Sequence, residues 1–191
     1  DTLWRIGSAI SVLDVPAGAL LVTAHNRAAL RGGGPREATR ALAMEAILTG
    51  ALEPGRGMRQ LEYARGTALT VEDGYAVALT DFGRAVLEFN AGRLSAALSF
   101  AEAAEAGLRG SAPDSIWEIH NAQAMQIQLL ATLGHLWELR GTADKLRHTA
   151  DHHESAYCLA CFKSGWAILP LLADDDPAVA NSMLDEADEL V

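Results

Sequence analysis

Five side chains that bind soft metals fall within fourteen residues: His148-Thr-Ala-Asp-His-His153, then Cys158-Leu-Ala-Cys161. On helices, His148 and His152 at i, i+4 share a face, as do Cys158 and Cys161 at i, i+3. A zinc ion would need such ligands to converge at about 2.0–2.3 Å. The competing reading is two small apolar cysteines packed between helices beside a polar histidine turn. It is the stronger of the two, because free cysteines behave as small buried hydrophobes in helix packing. No strand precedes the Cys-x-x-Cys pair, which argues against thioredoxin-like redox chemistry.

Other patterns carry less. Asp81-Phe82-Gly83 spells the magnesium-binding tripeptide of protein kinases, yet no Gly-rich loop, strand lysine or catalytic loop accompanies it and it falls in mid-helix. Asp174, Asp175 and Asp176 lack the alternating oxygen spacing of a calcium loop and read as a helix cap. Glu102 and Glu105 are paired carboxylates expected on the solvated side of a helix. Gly32-Gly-Gly34 precedes Pro35 with no strand before it, which makes it a turn. No Ser-His-Asp order, nucleophile elbow or phosphate loop occurs, so this segment is expected to hold no catalytic residue and no cofactor. His25, His120 and His135 stand alone, satisfied or exposed. Trp4, Trp117, Trp137 and Trp166 fall in different helical units, where one large aromatic commonly plugs the space between helices. For ligand binding Trp117 is favoured, because Glu118, Asn121 and Gln128 lie on the same helix; these four are the candidate groove residues.

The elements that must position them are helices. Strand signals are nearly absent, and Ala, Leu, Glu and Arg dominate. Proline and glycine cut the chain at Asp14-Val-Pro16, Gly32–Pro35, Pro54-Gly-Arg-Gly57, Asp73-Gly74, Ala91-Gly92, Ser111-Ala-Pro113, Gly134 and Asp174–Pro177. The pieces between them predict about ten helices, over 2–13, 16–31, 36–52, 57–70, 74–90, 92–108, 114–133, 135–151, 155–172 and 177–190. Pro170 is expected to kink or end its helix. Helix 92–108 has an apolar side of Ala96, Ala97, Phe100, Ala103, Ala104 and Leu108, opposed to Ser95, Ser99 and Glu102. Helix 177–190 sets Val179, Met183, Ala187 and Leu190 against Asp185, Asp188 and Glu189. Helix 114–133 spreads its apolar residues almost all round, with Gln123, Gln126 and Gln128 between them, as a helix with neighbours on several sides must.

Taken in pairs, the odd helices begin near 2, 36, 74, 114 and 155, spaced by 34, 38, 40 and 41 residues. That is at or slightly above the tetratricopeptide period of about 34 residues and near the HEAT range. The turn Ala91-Gly-Arg-Leu-Ser-Ala-Ala-Leu98, followed by Ala104, places its glycine, leucine and small residues in tetratricopeptide order. The expected fold is all-α: a tetratricopeptide-like right-handed α-solenoid of about five antiparallel helix pairs, with residues 1–191 as one domain.

Half of the 191 residues are apolar, and the formal charge is 15 − 25 = −10. So acidic a chain gains nothing from neutralising phosphates, which argues against a nucleic-acid partner. Residues 1–70 carry a balance of +2 and residues 71–191 one of −12, so the second half would attract a basic peptide, although a solvated acidic exterior is the plainer account. The longest uncharged stretch, Ile119–Trp137, holds three Gln, one Asn and two His, a load that rules out a membrane span there. No signal peptide is visible and two cysteines make no disulfide framework, so a soluble, cytoplasmic setting is expected.

Several segments occur together in a familiar order. They are Arg40-Ala-Leu-Ala-Met-Glu-Ala46, the 91–98 turn, Trp117-Glu118 with Ala122-Gln123, Leu133-Gly-His-Leu-Trp-Glu-Leu139, Tyr157 with Gly165, and Ala173-Asp-Asp-Asp-Pro-Ala178. Together they resemble the carboxy-terminal helical repeat region of large bacterial serine/threonine kinases of the myxobacterial type. There, a kinase domain is followed by an AAA-type ATPase module and tetratricopeptide-like repeats. The resemblance covers nearly the whole chain. It implies a fragment of a multidomain signalling protein whose catalytic parts lie outside this segment: a non-enzymatic scaffold or sensor that binds a protein or peptide. Relatives usually carry other small or polar residues where Cys158 and Cys161 stand, which weakens a metal reading. The alternatives are a small-molecule- or metal-responsive sensor or enzyme centred on the Cys/His cluster, or the sensor arm of a transcription regulator or adenylate cyclase. Metal analysis of protein purified without a tag separates these: zinc well below stoichiometric is expected, and a full equivalent overturns the apolar reading of the cysteines.

Overall fold

The computed structural model describes residues 14–152 and 165–188, with Ile6 and Ile10. Nine α-helices occur among them and no strand: α1 (Val15–Gly32), α2 (Pro35–Leu52), α3 (Pro54–Thr70), α4 (Gly74–Asn90), α5 (Leu94–Ser111), α6 (Ile116–Leu133), α7 (Leu136–His152), α8 (Leu169–Ala173) and α9 (Pro177–Asp188). A 3-10 turn, Gly165–Ile168, leads into α8. No helix among the described residues is long and apolar enough to cross a membrane.

The helix ends follow from local chemistry. Asp14 caps α1 by accepting from the Ala17 amide at 3.0 Å, and prolines open α1, α2 and α3, where the missing N–H has no partner to lose. One residue, Glu53, joins α2 to α3; the proline behind it holds its backbone out of the helical region, at φ −130° and ψ 78°. Four later turns are built alike. Residues 72, 92, 134 and 175 take positive φ, and each following amide reaches back to a carbonyl five residues earlier, as in His135 to Leu130 at 2.9 Å. Glycine fills two of these left-handed positions; Glu72 (φ 53°) and Asp175 (φ 59°) fill the others.

The helices stack mainly on sequential neighbours, with α2 also reaching α4. The core is correspondingly a string of small clusters, not one central mass. Ala43, Ala64 and Leu79 join α2, α3 and α4; Ala85, Ala101 and Leu129 join α4, α5 and α6; Leu130, Leu139 and Ala167 carry the core through α6, α7 and the 3-10 turn. Most of these contacts are alanines with essentially no exposed surface, so the helices lie close. The closest approach is at glycine. A Cβ on Gly57 would sit 2.5 Å from Gly50 Cα and 2.7 Å from the Ala46 carbonyl oxygen, and one on Gly83 would meet the Leu61 side chain at 2.8 Å.

These contacts revise four expectations. The Pro54-Gly-Arg-Gly57 stretch lies within α3: the break is at Glu53, because Pro54 suits a first turn and Gly57 serves a backbone contact. On α5 the buried line is Ala97, Ala101, Ala104 and Leu108, with Ala103 exposed; Ser95, Ser99 and Glu102 face out as expected. Pro170 starts a helix after the 3-10 turn, where its fixed φ fits the first turn. The single aromatic plug per unit also fails: Trp137 is 83% exposed and Trp166 half exposed. Apart from Ile6 and Ile10, the helix expected over 2–13 lies outside the described residues, with Trp4, as does residues 155–164 of the helix expected over 155–172.

Two substitutions test this packing by chemical denaturation. Gly57→Ala is expected to lower stability by about 1–3 kcal/mol, because the added methyl meets backbone and has nowhere to move. Glu72→Gly is expected to raise it by about 1 kcal/mol by relieving the left-handed strain.

Candidate functional site

Trp117, Glu118, Asn121 and Gln128 all lie half-buried on α6. They do not form one constellation. Asn121 spends its amide on the Trp117 carbonyl at 2.7 Å, and Gln128 lies two turns beyond Asn121, about 10 Å along the axis. Glu118 alone enters a wider network, accepting from the Tyr75 hydroxyl at 2.8 Å.

That network runs across three helices. The Arg40 guanidinium of α2 grips the Asp73 carboxylate with both arms, Nε at 3.0 Å and Nη2 at 3.2 Å, and lies 4.5 Å from the centre of the Tyr75 ring. Asp73 also caps α4, accepting from the Ala76 amide at 3.2 Å. Tyr75 then passes the contact to Glu118 on α6. Burial first, and the neighbouring Glu118 charge second, push the Tyr75 hydroxyl far above its ordinary ionisation range, so it remains a donor. The first helices of three successive hairpins are thereby tied side by side.

A second cluster lies between α5 and α6, and it corrects the expectation that Glu105 is solvated. Glu105 is largely buried and accepts from Gln123 Nε2 and Gln126 Nε2, both at 2.8 Å, and from Arg109 Nε at 2.9 Å. Gln123 and Gln126 are buried, with His120 one turn earlier on the same side. Their i, i+3 spacing within an otherwise apolar helix was the available signal: a glutamine pair on a buried face requires a partner. Glu102, by contrast, is exposed.

Two further carboxylates are buried on α4. Glu88 holds Arg93 from the following turn and Arg84 at 2.7 Å. Its hydrogen bond to Arg93, outweighing its burial, and the contacts of Arg84 keep its carboxyl below the usual value of 4.5. Asp81 pairs with Arg65 and is pushed up instead, because its burial outweighs that attraction. The Asp81-Phe82-Gly83 tripeptide is thus accounted for by packing: Asp81 ties α4 to α3, and Gly83 makes room for Leu61 and Ile47.

The backbone of His148 and His152 belongs to the end of α7, while their side chains and the whole of Cys158 and Cys161 lie outside the described residues. Among the described residues no three His, Cys, Asp or Glu side chains are grouped to hold a metal ion. What the described polar clusters do chemically is hold helices to one another, with each carboxylate engaged by donors. No family model, curated protein or solved structure matches the chain.

The two α4 carboxylates should respond oppositely to acid. Glu88 stabilises the fold above its ordinary pKa, and that contribution is lost as pH falls through its lowered folded value; Asp81, raised, destabilises at neutral pH and is relieved on acidification. Glu88→Ala is expected to cost about 2 kcal/mol at pH 7. Asp81→Asn should be neutral or stabilising. Urea unfolding at pH 7 and pH 4 reads both.

Proposed function

We propose that this chain is a non-catalytic interaction arm that binds a protein or peptide partner and regulates modules attached to it. In this reading the stacked hairpins continue as a tetratricopeptide-like right-handed superhelix, and α2, α4 and α6, the first helices of their pairs, line its concave side. The observation that carries the reading is the Arg40–Asp73–Tyr75–Glu118 network, which fixes those three helices relative to one another. A face whose helices are held in place before the partner arrives loses little further freedom on binding. The resemblance to the repeat region of myxobacterial-type kinases supports a place beside kinase and ATPase modules in a cytoplasmic signalling protein. The excess of acid beyond residue 70 supports a partner of basic character. No proton transfer or covalent step belongs to this role.

Capture from lysate, followed by isothermal titration with the retained protein in purified form, tests the proposal. Reversible binding that weakens with salt is expected, with Trp117→Ala and Glu118→Ala each reducing affinity about tenfold while helicity by circular dichroism is unchanged. Failure to retain any specific protein rejects the reading. The coding sequence flanking this segment tests the kinase context separately.

A further inference from the structure

The three helices tied together by Arg40, Asp73, Tyr75 and Glu118 also share an open side. On α2, Ala43, Ala46 and Gly50 are spent on α3 and α4, and Glu45 meets Asn26 of α1. That leaves Glu37, Arg40, Met44 and Leu48, spaced by three or four residues, on the remaining side, with Leu48 38% exposed. On α4, Ala78 and Ala85 meet α5, and Gly83 and Leu87 meet α2 and α3, which leaves Tyr75, Phe82, Val86 and Phe89 half-buried on one face. On α6, Gln123 and Gln126 turn to α5 and Ile127 and Leu130 to α7, which leaves Asn121, Met125 and Gln128 on the other side. Tyr75 touches both Arg40 and Glu118 and so sets the three faces edge to edge; farther along, Phe89 and Met125 pack on the same buried cluster. Met44, Leu48, Phe82, Val86, Phe89 and Met125 therefore form an apolar strip, about 20 Å long by the helical rise from Tyr75 to Phe89. Its two ends differ in charge. Glu37 and Glu118 stand at the Tyr75 end, where Arg40 is held by Asp73 and Arg36 lies a quarter-turn round α2. At the other end Glu53 is paired with Arg56, and Asn90 and Gln128 are uncharged.

We propose that this strip seats an amphipathic helix of a partner protein, its apolar side against Phe82, Val86 and Met125 and its basic end beside Glu37 and Glu118. The inference rests on α2, α4 and α6 lining a concave interaction face, and it specifies what that face takes. Backbone chemistry selects a helix over an extended segment. The strip's side chains neither donate nor accept strong hydrogen bonds, so a peptide lying on it must satisfy its own backbone, which a helix does and an extended chain does not. Met44 and Met125 are unbranched and adapt to uneven apolar side chains laid against them. Charge sets the polarity of the occupant: the carboxylates at the Tyr75 end attract lysine or arginine, and a formal balance of −10 repels an acidic segment.

A phage-displayed library of random peptides of about 16 residues, enough to cover the strip at about 1.5 Å per residue, tests this when panned on the 191-residue chain. Enriched sequences are then synthesised and titrated. They are expected to carry apolar residues at i, i+3 or i+4, and i+7, with lysine or arginine gathered toward one end. A proline placed at the centre of such a peptide should weaken binding about tenfold or more. Leu48→Lys and Val86→Lys should each do the same, whereas Tyr63→Ala, at an exposed site on α3, should leave affinity unchanged. Leu48 lies nearest the surface, and circular dichroism confirms that both lysine variants fold. No enrichment, enrichment of acidic or proline-containing sequences, or binding that survives both lysine substitutions overturns the proposal. Capture from lysate decides the concave-face reading separately. A retained protein that binds both lysine variants undiminished leaves that reading standing and removes this one.

Discussion

The arrangement depends on how closely α2 and α3 approach at Gly50 and Gly57. With no side chain on either residue, the two backbones touch there, and that contact sets the crossing of the pair. The consequences run outward. Leu87 of α4 fills the space above Gly50, and Gly83 receives Ile47 and Leu61 from the other two helices. An alanine buries little surface by itself, so a core made of Ala43, Ala46, Ala64 and Ala85 derives its cohesion from dense contact along whole helices. Large side chains are needed only where three helices leave a wider gap, as at Leu87, Leu108 and Leu129.

A core of small residues fits several registers, because one alanine resembles the next. Buried charge removes that degeneracy. Asp81 of α4 is engaged only with Arg65 of α3 in place, and Glu105 of α5, beside Arg109 of its own helix, accepts from both Gln123 and Gln126 of α6. A shift of one residue between the paired helices would take those donors away from a carboxylate held largely out of water, which is destabilising. Apolar packing thus supplies cohesion, and the carboxylates select a single alignment.

The sequence disclosed the helices well and the site poorly, for one physical reason. Breaks set by backbone chemistry are local, so Asp73-Gly74, Ala91-Gly92 and Gly134 each mark a helix end within a residue or two. Gly57 misled because its role depends on a neighbour seven residues earlier in chain but across a turn in space. The same holds for polar residues. Trp117, Glu118, Asn121 and Gln128 share a helix, yet only Glu118 takes part in a network, and its partners come from residues 40–75. Glu105 looked solvated from the spacing on its own helix, whereas its environment is fixed by α6. Arg65 and Asp81 gave no signal, since their pairing spans a turn.

Asp73 has a double duty. Its carboxylate both closes the amide end of α4 and anchors Arg40 of α2. Fraying of the first turn of α4 therefore releases an arginine in the preceding hairpin, and detachment of α2 exposes the start of α4. Two units that would melt independently in an ideal one-dimensional array are fused into one cooperative block. Disturbance at one hairpin is consequently felt at the next by shared loss of a single acid, a short-range mechanical linkage built from one side chain.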